Sequence, residues 1–215
     1  MSLIYLTGLS QDGSPDFSFG TNGVIQHDLN GGEDNLFDSD QGVNGRIAVV
    51  GTNFDPNLGV TKNFIAAFNE DGSLDTSFNQ TGFLLSDMLN SETFQYVEVQ
   101  DDNKVLVAND SGSDYKIFRF LEDGTQDANF ATNGVLSPFD SGETGSDFYL
   151  GTNGNIFVSG RSNSTSIVLK KFLSNGALDS SFGANGVTTF IITNASSIYV
   201  RPLWLLENGS IIVSC

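Results

Sequence analysis

Apolar positions along this chain come in short bursts, parted by glycine- and asparagine-rich stretches, and the bursts recur in a fixed order. NGRIAVVG (44–51), DNKVLVAN (102–109), NGNIFVSG (153–160) and NGSIIVSC (208–215) are each a turn followed by an apolar, mostly β-branched run. That pattern predicts the return strand of a hairpin. A second burst comes before another kind of turn: SLIYLTGLS (2–10), NFIAAFN (63–69), YKIFRFL (115–121) and SIVLKKFL (166–173). A third follows that turn: VIQHD (24–28), FLLSD (83–87), VLSPF (135–139) and VTTFI (187–191). No segment keeps a helical period of apolar residues for more than a turn or two, so the pattern predicts an all-β chain.

The turn between the second and third bursts is itself a repeat. It reads QDGSPDFSFGTNGV (11–24), EDGSLDTSFNQTGF (70–83), EDGTQDANFATNGV (122–135) and SNGALDSSFGANGV (174–187), in register without gaps. Gly13, Gly72, Gly124 and Gly176 supply the positive φ of a tight turn. Asp16, Asp75, Asp127 and Asp179 can accept backbone N–H groups two or three residues on, folding the loop as an Asx-type turn. Phe19, Phe78, Phe130 and Phe182 carry no polar atom and are expected as plugs between neighbouring units. Gly23, Gly82, Gly134 and Gly186 open the next strand. Every residue of the motif has an architectural task, which argues against a site of chemistry repeated four times.

About four strands in about 50 residues suit a propeller blade. The phase places blades at 35–87, 94–139 and 146–191. A fourth blade is shared between strands of 196–215 and of 2–28, within a single propeller domain 1–215. Joining the chain ends in that blade would remove open sheet edges. The same half blades could pair between molecules instead, in a heterologous assembly.

The joint, its upstream Phe-containing strand and the downstream hairpin turn resemble the delta-60 repeat, and DGSLDTSF (71–78) matches that motif closely. The resemblance covers nearly the whole chain in four copies. It implies a β-propeller-like fold, tandem repetition and an extracellular or cell-surface place in bacteria, and it carries no catalytic residues. The chain departs from the family's usual Asp-Gly-Lys turn with NGR, DNK, NGN and NGS, and its first joint has Pro15 and Phe17 where the other copies differ.

Composition narrows the partners. The 215 residues carry a formal charge of −17 and a sequence pI near 4.1, which repels nucleic acid and anionic membranes and attracts cations or basic partners. No apolar run reaches the length of a membrane span, so no membrane insertion is expected. Cys215 is the single cysteine, which excludes an internal disulfide. The opening MSLIYLTGLS reads as a strand without the basic region of a signal peptide, and as a cut from a longer array.

Candidate chemistry is sparse. His27, the single histidine, is expected as an exposed residue at a strand end, and GxSxG is absent. Carboxylates are the better candidates. Aligned on the hairpin turns, Asp38, Asp40, Glu98 and Asp147 fall on the first strands of their blades, where they could gather as a calcium site at the mouth of a channel. Trp204, in VRPLWLL (200–206), is expected as a buried filler of the seam between chain ends. These readings point to a non-enzymatic binding or scaffold module without a cofactor. The partner would be a protein or carbohydrate ligand and the free protein a monomer. The alternatives are a lectin-like multivalent module and an assembly subunit that pairs half blades in trans.

Overall fold

The β-branched bursts fold as strands. The computed structural model describes residues 4–10, 12–86, 93–109, 112–200, 203–206 and 209–215. Parts of the expected segments, at residues 2–3, 11, 87 and 208, lie outside these, as do Arg201 and Pro202 beside Trp204.

Three antiparallel sheets of four strands follow one another along the chain. The first runs β3 (Asp34–Gln41), β4 (Ile47–Asp55), β5 (Val60–Phe68) and β6 (Phe83–Ser86), paired in chain order. The second holds β7 (Phe94–Val99), β8 (Val105–Asn109), β9 (Ile117–Phe120) and β10 (Val135–Leu136). The third holds β11 (Thr144–Leu150), β12 (Ile156–Asn163), β13 (Ser166–Phe172) and β14 (Val187–Ile191). The three sheets thus hold the strands of Asp34–Ser86, Phe94–Leu136 and Thr144–Ile191, against blades expected at 35–87, 94–139 and 146–191. The last strand of the second stops at Leu136, short of VLSPF, because Pro138 has no N–H to give a ladder.

The chain ends form two further sheets of two strands each. In the first, β1 (Ile4–Thr7) pairs with β2 (Val24–His27). In the second, β15 (Leu203–Leu205) pairs with β16 (Ile211–Val213). The strands expected to share a fourth blade thus form two separate two-stranded sheets, each paired within itself.

Contacts divide the chain into two compact units, Met1–Val107 with Phe120–Thr125, and Ala108–Arg119 with Gln126–Cys215. In the first, Ile4 and Ile25 of the β1–β2 hairpin pack onto Val49, Phe64 and Phe68 of the first four-stranded sheet. In the second, Leu203 of β15 packs onto Phe157 and Leu169 of the third sheet. Consecutive residues Ala48, Val49 and Val50 of β4 are all fully buried. Successive strand residues point to opposite faces, so this sheet is covered on both. That is why its middle strands read as unbroken apolar runs rather than alternating ones.

Candidate functional site

The repeated joint keeps one hydrogen-bond scheme in all four copies, although past its phenylalanine the second copy has positive φ at Gln80 where the others have it at Asn22, Asn133 and Asn185. The first glycine's N–H closes a tight turn onto the carbonyl three residues earlier: Gly13 to Ser10, Gly72 to Asn69, Gly124 to Leu121 and Gly176 to Leu173, at 2.8–2.9 Å. The aspartate three residues later anchors the loop to the preceding strand, donating its N–H to Gly8, Ala67, Arg119 or Lys171. Its Oδ1 accepts the N–H two residues on, from Ser18, Ser77, Asn129 and Ser181 at 2.9–3.1 Å, which is the expected Asx turn. Its carbonyl accepts the N–H of Phe19, Phe78, Phe130 or Phe182 at 3.0 Å. Gly23, Gly82, Gly134 and Gly186 all have positive φ and donate back to that phenylalanine's carbonyl.

The joint also stitches one blade to the next. The residue after the phenylalanine donates to the carbonyl of the following copy's turn. Gly20 N–H reaches Asp71 O at 2.8 Å and Asn79 N–H reaches Asp123 O at 2.7 Å in the first unit, and Ala131 N–H reaches Asn175 O at 2.9 Å in the second. Phe78 and Phe130 are fully buried, as plugs should be, whereas Phe19 and Phe182 are half-buried.

The other carboxylate oxygen of the joint holds a cation, which the sequence reading missed. Arg46, from the hairpin turn of the first sheet, meets Asp75 Oδ2 at 2.6 Å and also donates to the carbonyls of Asn103 and Glu122. Arg119 meets Asp127 Oδ2 at 2.9–3.0 Å, donates to the carbonyl of Ser174 and lies 4.4 Å above the Phe130 ring. Lys171 meets Asp179 Oδ2 at 2.8 Å. Arg119 and Lys171 share one register position, eight residues ahead of the joint aspartate, and that alignment was a readable signal. Arg46 had none, since it reaches its partner across 29 positions of chain.

Titration follows from these contacts. The Lys171 ammonium and the Ser181 hydroxyl and N–H hold Asp179 at about 2. Burial pushes Asp75 up, but hydrogen bonds from Ser77 and the Arg46 guanidinium outweigh it and leave it below the ordinary carboxylate range. The Ser18 hydroxyl and N–H lower Asp16. Asp16, Asp75 and Asp179 are anions committed to their own loops, with no free proton to trade near neutral pH.

The first-strand carboxylates are committed too. Asp38 and Asp40 of β3 accept the N–H groups of Val97 and Val99 in β7 at 2.9 and 2.7 Å. In the second unit, Asp147 of β11 does the same for Leu203 N–H of β15 at 2.9 Å. Burial raises Asp38 above the usual carboxylate value despite the Val97 hydrogen bond. Asp38, Asp40 and Glu98 belong to the first unit and Asp147 to the second. Among the described residues no group of three or more His, Cys, Asp or Glu side chains is gathered to hold a metal ion. Of the four residues expected to hold calcium, Asp38, Asp40 and Asp147 are thus taken up by backbone N–H groups. The physical reason is that neighbouring first strands meet without a ladder, and the carboxylates supply acceptors for backbone donors that would otherwise be orphaned.

Two further expectations are corrected. His27 is half-buried at the end of β2, edge-on to Phe68 with ring centroids 6.3 Å apart, rather than exposed. Trp204 is 47% exposed rather than buried, because Leu203 takes the inward position of β15 and its neighbour must point out. The one deeply buried lysine singled out by the packing, Lys170, is held by Asp140 and Glu143 at 2.8 Å. Burial works against its charge, but those two carboxylates outweigh it and raise its pKa, so it is a fixed cation and not a nucleophile.

Three stretches of the chain, 44–78, 100–130 and 152–182, match a family described as a domain of unknown function (DUF5122) beta-propeller. Each stretch runs from the hairpin turn to the joint phenylalanine, Phe78, Phe130 or Phe182, so it spans the second and third strands of a blade and the loop after them. No curated protein matches the chain. The four-stranded antiparallel sheets are the blades of a β-propeller domain.

Proposed function

We propose that the chain is a non-catalytic binding or scaffold module of β-propeller type, belonging to a bacterial secreted or cell-surface protein. One observation carries the first part. The recurring polar groups, the joint aspartates and the first-strand carboxylates, are occupied by loop N–H groups, hydroxyls, cations or neighbouring backbone. The chemistry that repeats is architectural, which leaves the surface and not the repeated motif as the place of function. The delta-60 resemblance of the joints supports the cellular setting. The test is a panel of chromogenic glycoside, ester, phosphoester and peptide substrates. No turnover above background is expected, and turnover abolished by Asp38→Asn or Asp147→Asn would overturn the reading.

A second reading, assembly through half blades, is favoured by the apolar surface around β14–β16, where Phe190, Ile191, Tyr199, Trp204 and Ile212 are all 45–72% exposed. Light scattering behind a sizing column separates the two. A mass near 23.0 kDa supports a self-contained module, and a larger or polydisperse species supports pairing in trans.

A further inference from the structure

Three joints carry a cation on their aspartate, and the first does not. Gly8 occupies the register position of Arg119 and Lys171. Asp16 N–H reaches Gly8 O at 2.9 Å, just as Asp127 reaches Arg119 at 2.9 Å and Asp179 reaches Lys171 at 2.8 Å. No ion pair of Asp16, Asp40 or Glu70 is present among the described residues. A side chain at Gly8 would collide with Phe19, whose Cβ lies 2.6 Å from where a Cβ would stand, and beside the two is a cavity of about 510 Å³ lined by Gly8, Asp16, Phe19, Asp40, Gln41 and Glu70 among others.

The molecule itself shows what such a place receives. Around Arg119 the guanidinium is met by three things: the Asp127 carboxylate, the Ser174 carbonyl that precedes the next turn, and the face of Phe130. The first joint presents all three in the same register, as Asp16, Glu70 and Phe19. The carbonyl equivalent to Glu70 is used again at the second joint, where Arg46 donates to Glu122 O at 2.8 Å. Phe130 is fully buried beneath its arginine, whereas Phe19, which lines the cavity, is half-buried. Asp40 and Glu70 add negative charge to the cavity wall, and an acidic residue, Glu122, also stands at the Glu70 position beside Arg46 at the second joint.

We propose that this cavity receives the guanidinium of an arginine side chain presented by a partner protein. The planar fork suits one carboxylate and one carbonyl at once, and its face suits the Phe19 ring. The net charge of −17 draws a basic segment toward the surface and speeds encounter. The inference rests on the reading of the chain as a binding module and names the chemistry of its partner.

The test titrates ¹⁵N-labelled protein with an acetylated, amidated Gly-Arg-Gly peptide and with the same peptide carrying citrulline, which has the same shape and no charge. The arginine peptide should shift the amides of Gly8, Asp16, Phe19 and Gly20 with a Kd on the order of 1 mM, as befits a single side chain. Citrulline should bind at least tenfold more weakly. Asp16→Asn, which keeps the Oδ1 acceptor for Ser18, should weaken the arginine peptide about tenfold. Asp12→Asn, whose carboxylate is held by Ser10 and Ser14, should leave it unchanged. Should Asp16→Asn fail to fold, Glu70→Gln, also in the cavity lining, decides, with a several-fold loss expected. Equal binding of the two peptides, wild-type affinity in the carboxylate variants, or no shift at the first joint would overturn the inference. The non-catalytic reading would survive any of these, because it falls only on enzymatic turnover.

Discussion

Replacing Arg119 with methionine isolates what a joint cation contributes. Arg119 is 8% exposed and Asp127 4%, so the pair sits out of water in the second unit. Methionine keeps most of the aliphatic stem but removes both contacts to Asp127 Oδ2, the donor to Ser174 O and the guanidinium above Phe130. The loss therefore comes from an uncompensated buried carboxylate and an orphaned carbonyl rather than from a cavity. Breaking a buried pair on one side costs about 3–5 kcal/mol. For a chain of this size about 3 kcal/mol corresponds to a melting point lower by about 6–12 °C. Urea unfolding of Arg119→Met, Asp127→Asn and the double variant gives the coupling directly. In the double variant the neutral amide needs no counter-charge, so it should recover part of the loss and show a coupling of about 1–3 kcal/mol. A loss below about 1 kcal/mol for Arg119→Met, with additive single effects, would refute the argument and class the pair with surface ion pairs.

The remaining predictions concern pH and backbone. Asp12 and Asp179 sit at about 2 and Asp16, Asp71, Asp75 and Asp123 are also lowered, so their native values lie below the unfolded one of 3.8. Their stabilisation is complete above the unfolded value and is lost as pH falls through the native ones, so thermal melts should drop steeply between about pH 4 and pH 2. Asp179→Asn should show a smaller drop over that window, and an equal drop would count against the assignment. Asp34 and Asp38, raised chiefly by burial, act in the opposite sense, opposing folding as pH rises above the unfolded value. Gly13 and Gly72 both have φ above +80°, but a Cβ at Gly72 would lie 2.9 Å from Gly20 N, while at Gly13 it would meet nothing. Gly13→Ala should cost about 1–2 kcal/mol in urea unfolding from its left-handed backbone alone, and Gly72→Ala clearly more, because it also pushes on the stitch between the first two copies.

Legibility in the sequence followed the reach of the interactions. The four-stranded sheets were readable because each is built from local signals: an NG or DN turn, a β-branched run, a DG-type turn and a Phe, all within about 50 residues. The Asx turn at the joint was readable for the same reason, since Asp75 Oδ1 reaches Ser77, two residues on. Arg119 and Lys171 could have been found by aligning the copies three positions further back. Arg46 could not, because an arginine in a hairpin turn gives no sign of which loop it will reach.

What the chain determined by itself is therefore the all-β character, the repeat and the fold of each joint, because turn chemistry and strand patterning act between near neighbours. Only the tertiary structure decided what the carboxylates do. Asp38 and Asp40 find Val97 and Val99 across 59 positions, and Asp147 finds Leu203 across 56. Such partners are fixed by how one blade's first strand packs against the next, and no local pattern encodes that. The same holds for Trp204, whose outward side was set by which neighbour entered the core, and for the first joint. Its glycine looks unremarkable in sequence and becomes an open site only beside three that are filled.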